Sequence, residues 1–306
     1  QISAGVFKLG KFVRLIPHSV MMGFVNGLAI VIFLSQLGLF KEKVNENIVW
    51  MQGSNLWIML GFVGLTMAIM FLLPKITKKV PAALIAIIVV AAITILGDVN
   101  VSTVGSFILD GGGKGLQGSL PTFQFQIFGL FDTLSGNWDL ILSTALLLAA
   151  VGLIESLMTL NLIDDMTETR GSGNRECLAQ GGANILNGLF GGMGGCAMIG
   201  QSIINVNSGG RGRLSGIVAA LALLCFVLFG APLIEQIPIA ALVGVMFMVV
   251  IGTFAWSSFR IIHKIPLSDA IVLITVSAIT VWQDLAIAVI VGVIMSALVF
   301  SWQSAT

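Results

Sequence analysis

The sequence predicts an all-α, multi-pass membrane protein with an inverted internal repeat, and three observations support this fold class. First, 57% of the 306 residues are apolar and only 9% are charged, with a mean hydropathy of +1.04. A typical soluble domain is roughly 45–50% apolar and about 25% charged, so a soluble enzyme, a nucleic-acid binder and a disordered scaffold are disfavoured. Second, apolar stretches near membrane-spanning length follow one another along the chain. Third, one short motif recurs with opposite predicted orientation.

The apolar stretches approach the length of about 20 residues that a helix needs to cross a hydrocarbon core roughly 30 Å thick. Seven or eight of them are predicted to span, depending on how the glycine-rich middle of the chain is counted. They cover residues 17–40, 56–73, 80–96, 140–160, 178–190, 196–206, 214–229, 237–254, 267–281 and 285–300. The stretches 178–190 and 196–206 are too short or too polar to span alone.

The distribution of Lys and Arg predicts the orientation, because cytoplasmic loops retain positive charge. When each full stretch crosses once and the two short stretches together cross and return, twelve cationic residues fall on one side and three on the other. The three are Lys41, Lys43 and Lys114. The side with twelve is predicted to be cytoplasmic, which makes residues 97–138 a long extracellular loop.

An internal repeat supports this topology. Ile-Pro, followed by five residues and Gly, occurs at residues 16–23 and again at residues 237–244, 221 positions later. Each copy opens a predicted span, the first from the cytoplasmic side and the second from the outside. Inverted repeats of this kind are typical of secondary transporters.

Glu155 is the one acidic residue of the fourteen that falls inside a predicted span rather than in a loop or at a span end. An ionisable group in the membrane costs at least about 2.5–3.5 kcal/mol, so it indicates a functional site. Thr159 lies one helical turn further on the same face. The two side chains could ligate a hard cation such as Na⁺ or carry a proton. The alternative is that Glu155 lies near the cytoplasmic end of its span and snorkels to the interface.

Five glycines between residues 188 and 195 interrupt the helix at membrane depth. Unwound backbone is tolerated there only where protein or a water-filled cavity surrounds it. A short helix is predicted to follow, with free N–H groups around Cys196 to Ile199 that form an anion site without a basic side chain. Gln201 and Ser202 can add neutral donors. The alternative is a glycine-mediated close helix crossing.

The sequence gives little support to an enzyme. It has no HExxH helix, no thiol pair and no Ser nucleophile with a base, and its three cysteines are interpreted as small apolar residues. We therefore expect no catalytic residue and no resident cofactor, with Na⁺ or H⁺ as coupling ion.

The central motifs resemble those of the SulP anion transporters. The motifs are GLIESL (152–157), DDMTETR (164–170), NRE (174–176), AQGGAN (179–184), GLFGG (188–192), NVNSGGR (205–211) and LSG (214–216). They extend over the middle of the chain, and weaker matches near the start extend the resemblance to nearly its whole length. The chain is identified on these residues as a member of that family.

The resemblance implies a 7+7 inverted-repeat, uracil-permease-like fold of fourteen spans, of which this chain holds about ten, including one half-helix. Residues 1–96 would carry spans five to seven of a gate domain. Residues 139–230 would carry spans eight to eleven of a core domain, and residues 231–306 would carry gate spans twelve to fourteen. The first four spans and a cytoplasmic STAS domain would be absent. The resemblance further implies a homodimer in the inner (plasma) membrane that transports by elevator-type alternating access.

The resemblance also implies the site. Family anions, which include sulfate, bicarbonate, chloride and dicarboxylates, bind between half-helices three and ten, next to span eight. The residues that this places at the anion are Glu155, Cys196, Ala197, Met198, Ile199 and Gln201. The coupling cation would be held by Glu155, Thr159, Gly195 and Ala197, with Glu155 and Thr159 as the Na⁺ ligands. The run Ala197 to Ile199 replaces hydroxyl side chains of many members, which favours a small monovalent anion over sulfate.

Two alternatives stay open. A nucleobase permease shares the fold and the Glu on span eight, but a planar base needs side-chain hydrogen-bond partners that residues 197–199 lack. The second alternative is an anion exchanger or channel without cation coupling. Its animal relatives place a basic residue where this chain has the neutral Gln201, which disfavours a charge-moving role.

Overall fold

The structure is a computed structural model that describes residues 1–10, 18–44, 47–77, 80–113, 115–116, 118–125, 129, 136–261, 265–283, 287–288, 291–292, 294–295 and 298. The helices in chain order are α1 (Ile2–Val6), α2 (His18–Leu37), α3 (Ser54–Ile76), α4 (Ala82–Leu96), α5 (Val104–Asp110), α6 (Trp138–Thr167), α7 (Gly173–Leu189), α8 (Ile199–Asn207), α9 (Arg213–Phe229), α10 (Ala231–Glu235), α11 (Ile239–Thr253), α12 (Ser257–Ile261) and α13 (Leu267–Trp282). A 3-10 turn, Gly38–Phe40, follows α2 and leads into the antiparallel strands β1 (Lys41–Val44) and β2 (Asn47–Trp50).

The long apolar helices coincide with the predicted spans. Four segments are long and apolar enough to cross a membrane, namely Ser19–Phe40, Ser54–Ile76, Trp138–Thr167 and Ile239–Arg260. The apolar helices α4, α9 and α13 have 15, 17 and 16 residues. At 1.5 Å per residue these three reach about 22–26 Å, somewhat less than the hydrocarbon core. Most of the predicted stretch 285–300 lies outside the described residues.

Proline marks the start of three of these helices. Pro81, Pro238 and Pro266 immediately precede α4, α11 and α13. The ring fixes φ near the helical value, and proline has no N–H that the first turn would leave unsatisfied. The sequence therefore sets these three helix starts locally.

One compact unit comprises Gln1–Leu28, Pro121–Ser215 and Ala255–Thr306. Its buried apolar core contains Val20, Phe24, Met158, Val272, Val276 and Ala288. Helices α2 and α13 approach closely at Gly23, where a methyl group would lie 2.7 Å from the Leu273 carbonyl oxygen and 3.0 Å from Val276 Cβ. Glycine at this position is what permits the approach.

The other compact unit comprises Ala29–Leu120 and Gly216–Phe254. Helices α3, α4 and α11 pack against one another in it, around a core of Phe40, Met59, Val63, Ile239, Ala240 and Val243. Helix α11 approaches α3 at Gly244, where a methyl group would lie 3.0 Å from the Val63 carbonyl oxygen and 2.6 Å from Thr66 Cβ. Any side chain at Gly244 would therefore overlap α3.

The two glycines are the ones that end the repeated motif, and their environments correspond. Each faces a backbone carbonyl and the Cβ of the residue three positions further along the partner helix. In the predicted numbering, α2 is span five, α3 is span six, α11 is span twelve and α13 is span thirteen. Gly23 thus lies at the contact of spans five and thirteen, and Gly244 lies at the contact of spans twelve and six. An inverted repeat of seven spans relates these two pairs to each other, so the internal packing of each unit supports the predicted repeat.

Several predicted boundaries were wrong by a few residues. The short helix predicted at 196–206 is Ile199–Asn207, and the polar stretch predicted at 178–190 belongs to a helix that begins at Gly173. Helix α6 continues to Thr167, seven residues past the predicted end. Hydropathy locates the apolar part of a helix and does not detect the polar turns that extend it. The strands β1 and β2 were likewise not predicted.

The division into core and gate domains remains a prediction. The two compact units follow the packing within this chain and do not coincide with the predicted ranges 1–96, 139–230 and 231–306. The predicted extracellular loop 97–138 contains α5, whose start carries a capping box between Thr103 and Ser106. Residues 114, 117, 126–128 and 130–135 of this loop lie outside the described residues.

Candidate functional site

The middle of α6 carries a group of buried polar side chains. Glu155 is 8% exposed and is the one buried acidic or basic side chain among the described residues. Ser156 and Thr159 are 1% and 4% exposed on the same helix. The structure thus places Glu155 within a helix and not in a loop, while its functional role stays a prediction. Burial of a carboxyl is costly unless it has partners, so its contacts define the site.

All three side chains bind the unwound segment that precedes α8. Glu155 Oε2 accepts a hydrogen bond from the Cys196 thiol, with an Sγ to Oε2 distance of 2.9 Å. The Ala197 N–H donates to Ser156 Oγ at 3.1 Å. The Thr159 hydroxyl donates to the Ala197 carbonyl at 2.8 Å. Helix α6 thereby binds both the backbone N–H and the backbone carbonyl of Ala197.

Helix α7 holds Gly195, two residues before Ala197, through two amides. Asn184 Oδ1 accepts from the Gly195 N–H at 2.8 Å, and Asn184 Nδ2 donates to the Gly195 carbonyl at 3.0 Å. Gln180 Nε2 donates to the same carbonyl. Asn184 Nδ2 also donates to Gln1 Oε1 at 2.9 Å. The unwound segment is therefore held by α7 at Gly195 and by α6 at Cys196 and Ala197.

The start of α8 corrects the predicted anion site in one respect. The helix begins at Ile199, with Met198 as N-cap and without a side-chain cap, so the first N–H groups that lack a helical partner belong to Ile199 and the two residues after it. The predicted set ran from Cys196 to Ile199. The Ala197 N–H is unavailable to a ligand because Ser156 accepts it.

The remaining predicted residues lie further along α8. The Ile199 side chain is 8% exposed, Met198 is half-buried and Gln201 is exposed. The structure brings together Glu155 and Thr159 with Cys196 and Ala197, and it places Gly195 next to them. Among the hydrogen bonds of the described residues, none joins the side chains of Gln201 and Glu155.

A cavity of about 460 Å³ adjoins Cys196 and Gly195. It is lined by Gln1, Ile2, Ser3, Ala145, Leu148, Ala149, Val151, Gly152, Gly181, Asn184, Ile185, Gly194, Gly195 and Cys196. No Lys, Arg or His side chain is among these lining residues, so an anion there would rely on neutral donors. The predicted residues 197–199 and Gln201 do not line this cavity.

Three residues of the site were not among the predicted site residues, namely Ser156, Gln180 and Asn184. Gln180 and Asn184 lie four positions apart in a helix, and hence on one face. Polar residues repeated at that spacing in an apolar chain were an available signal. The carbonyl that they share could not have been predicted, because it lies on a segment without regular structure.

Residues 1–276 match the sulfate permease family. The chain belongs to this family. The resemblance identified from the central motifs is therefore confirmed. Family membership indicates a multi-pass membrane protein, in agreement with the apolar helices.

Two curated members of the sulfate permease family extend the comparison. A putative sulfate transporter of Bacillus subtilis is 43% identical over 302 residues, which cover 98% of this chain and 59% of the relative. A bicarbonate transporter of Synechocystis is 31% identical over 308 residues, covering 97% of this chain and 52% of the relative. The chain thus spans about half the length of the curated relatives it matches.

Two solved structures have the same fold. The transmembrane domain of a cyanobacterial bicarbonate transporter matches with a TM-score of 0.73 and 29% identity, over 94% of this chain and 72% of that one. The structure of SLC26A9 matches with a TM-score of 0.71 at 16% identity, over 97% of this chain and 49% of that one, and indicates the fold alone. The inverted-repeat fold expected from the sequence is confirmed by these matches.

Proposed function

We propose that the protein transports a small inorganic anion, bicarbonate or sulfate, across the plasma membrane, and that Na⁺ or H⁺ drives this transport. Similarity to a sulfate transporter and to a bicarbonate transporter supports this class of substrate. The observation that carries the coupling is the contact of buried Glu155 with Cys196, at the unwound segment before α8. A carboxylate in this position can bind and release H⁺ or Na⁺ close to the place where an anion binds.

The chemistry of the donors fits a small anion. The free N–H groups at the start of α8 and the positive end of its dipole attract negative charge without a counter-ion. The oxygen atoms of Glu155, Thr159, Gly195 and Ala197 are ligands that a hard cation accepts. Binding both ions in one region lets each favour the other, and this is the requirement of symport. We further propose a homodimer that works by elevator-type alternating access.

The experiment is uptake of labelled bicarbonate and labelled sulfate by the full-length gene product in proteoliposomes. Each anion is tested with an inward Na⁺ gradient, with an inward proton gradient and with neither, and protein-free liposomes serve as control. Uptake of bicarbonate that requires Na⁺ supports a sodium-coupled importer. Sulfate uptake that requires the proton gradient supports proton coupling at Glu155. Absence of gradient-driven uptake of both anions would contradict the proposal.

A further inference from the structure

The carbonyl of Gly195 is already saturated with hydrogen-bond donors. A backbone carbonyl oxygen has two lone pairs. Gln180 Nε2 and Asn184 Nδ2 both donate to this one oxygen. A cation that uses this oxygen as a ligand must therefore displace one of the two amides.

The other predicted ligand oxygens are less engaged. In the described part of the chain, the Ala197 carbonyl accepts one side-chain hydrogen bond, from Thr159. Thr159 acts as donor in that bond, so its own lone pairs stay available. Glu155 accepts the hydrogen bond of the Cys196 thiol through Oε2 and not through Oε1. The Gly195 carbonyl is thus the predicted ligand for which a cation would compete directly with amide groups of the protein.

The two amides are not equally fixed. Asn184 makes three hydrogen bonds, with the N–H and the carbonyl of Gly195 and with Gln1. Gln180 makes a single side-chain hydrogen bond within the described residues, and its chain is one methylene longer. Displacing Asn184 also breaks its bond to the Gly195 N–H, whereas displacing Gln180 breaks one bond only. Gln180 is therefore the amide that leaves.

We infer that the Gln180 amide occupies the coupling-cation site when the cation is absent and that the cation displaces it on binding. Gln180 then sets the affinity for the cation without being one of its ligands. The inference rests on the proposed function, since it takes Na⁺ as the ion that Gly195 helps to bind. It has an unusual consequence: removing a hydrogen bond from the site strengthens ion binding.

The test is Na⁺-dependent thermal stabilisation of the purified full-length protein, with wild type compared with Gln180→Met. Methionine has similar length and no donor. A net protein hydrogen bond corresponds to a factor of about 2 to 10 in an equilibrium constant, so the half-saturating Na⁺ concentration should fall by about that factor. Gln180→Ala serves as second variant, and Gln52→Met, an exposed Gln outside the site, is the matched control. K⁺ replaces Na⁺ at constant ionic strength.

The possible results distinguish failure of this inference from failure of the proposed function. A lower half-saturating concentration in both Gln180 variants and an unchanged one in Gln52→Met support the inference, because a merely structural defect would weaken binding. An unchanged or higher value in the variants overturns the inference and leaves sodium coupling intact. If Na⁺ does not stabilise even the wild type, the inference fails, and the uptake assay decides whether anion transport itself stands.

Discussion

The hydroxyl of Thr159 donates to the carbonyl of Ala197 at 2.8 Å, across 38 positions of the sequence. Ser156, three residues earlier on the same helix, accepts the N–H of the same alanine. Helix α6 thus replaces, with side chains, the two hydrogen bonds that Ala197 would make in a regular helix. This explains how an unwound segment is kept in one conformation next to Glu155.

Thr159→Val should weaken transport through this contact. Valine keeps the shape and leaves the Ala197 carbonyl without its side-chain donor, a loss of about 1–2 kcal/mol or a factor of about 5–30 in anion uptake efficiency. The measurement is the initial uptake rate against anion concentration. Thr159→Ser, which restores the hydroxyl, should recover most of the rate. Equal defects in the two variants would point to lost packing instead.

Glu155→Gln should abolish cation-dependent uptake in a protein that still folds. Glutamine fills the same volume but carries no charge and cannot be protonated as a carboxylate is. Because the charged form is costly to bury, the thermal stability of the variant should equal or exceed that of the wild type. Uptake with and without the cation gradient is the measurement. A variant that kept its cation dependence would exclude Glu155 as the coupling residue.

Gly195→Leu should block transport by filling the adjoining cavity. The position is exposed, and nothing lies within 4 Å of a methyl group placed there, so the protein should fold with the larger side chain directed into open space. Uptake should fall at least about tenfold with little change in melting temperature, equivalent to about 1.4 kcal/mol or more. Gly212→Leu is the control, since Gly212 is equally open but does not line the cavity. Normal uptake by Gly195→Leu would mean that the anion passes elsewhere.

Gly244→Val should destabilise the protein, whatever its effect on transport. The new side chain would overlap Thr66 and the Val63 carbonyl on α3, and overpacking of this kind costs about 1–3 kcal/mol. Thermal unfolding in detergent measures the change. Gly252→Val on the same helix meets no atom within 4 Å and should leave the melting temperature nearly unchanged. If both variants melt like the wild type, α11 and α3 do not approach at Gly244.

The corresponding glycine of the first repeat gives an independent test. Gly23→Val should destabilise the protein by a similar amount. Even a methyl group at this position would lie 2.7 Å from the Leu273 carbonyl oxygen, and valine is larger. The same melting experiment applies. A large effect at one glycine and none at the other would contradict the equivalence of the two repeats.

Much of the fold could be predicted because the bilayer imposes length and hydropathy on each span. The apolar stretches located the major helices, and Glu155 was recognisable because a carboxyl in such a stretch has few structural explanations. Helix ends were less predictable. The late start of α8 depends on hydrogen bonds of Ser156 and Thr159 with Ala197, which hydropathy does not record.

The sequence by itself determined the membrane class, the repeat that ends in Gly23 and Gly244, the family, and the position of Glu155 within an apolar helix. The tertiary structure alone decided which groups near Glu155 are free and which are occupied. Ser156 removes the Ala197 N–H from the set of anion donors, and Gln180 with Asn184 saturates the Gly195 carbonyl. The physical reason is that an unwound segment leaves its backbone groups to be satisfied by side chains distant in sequence, and only the packing of α6 and α7 around that segment determines which side chains those are.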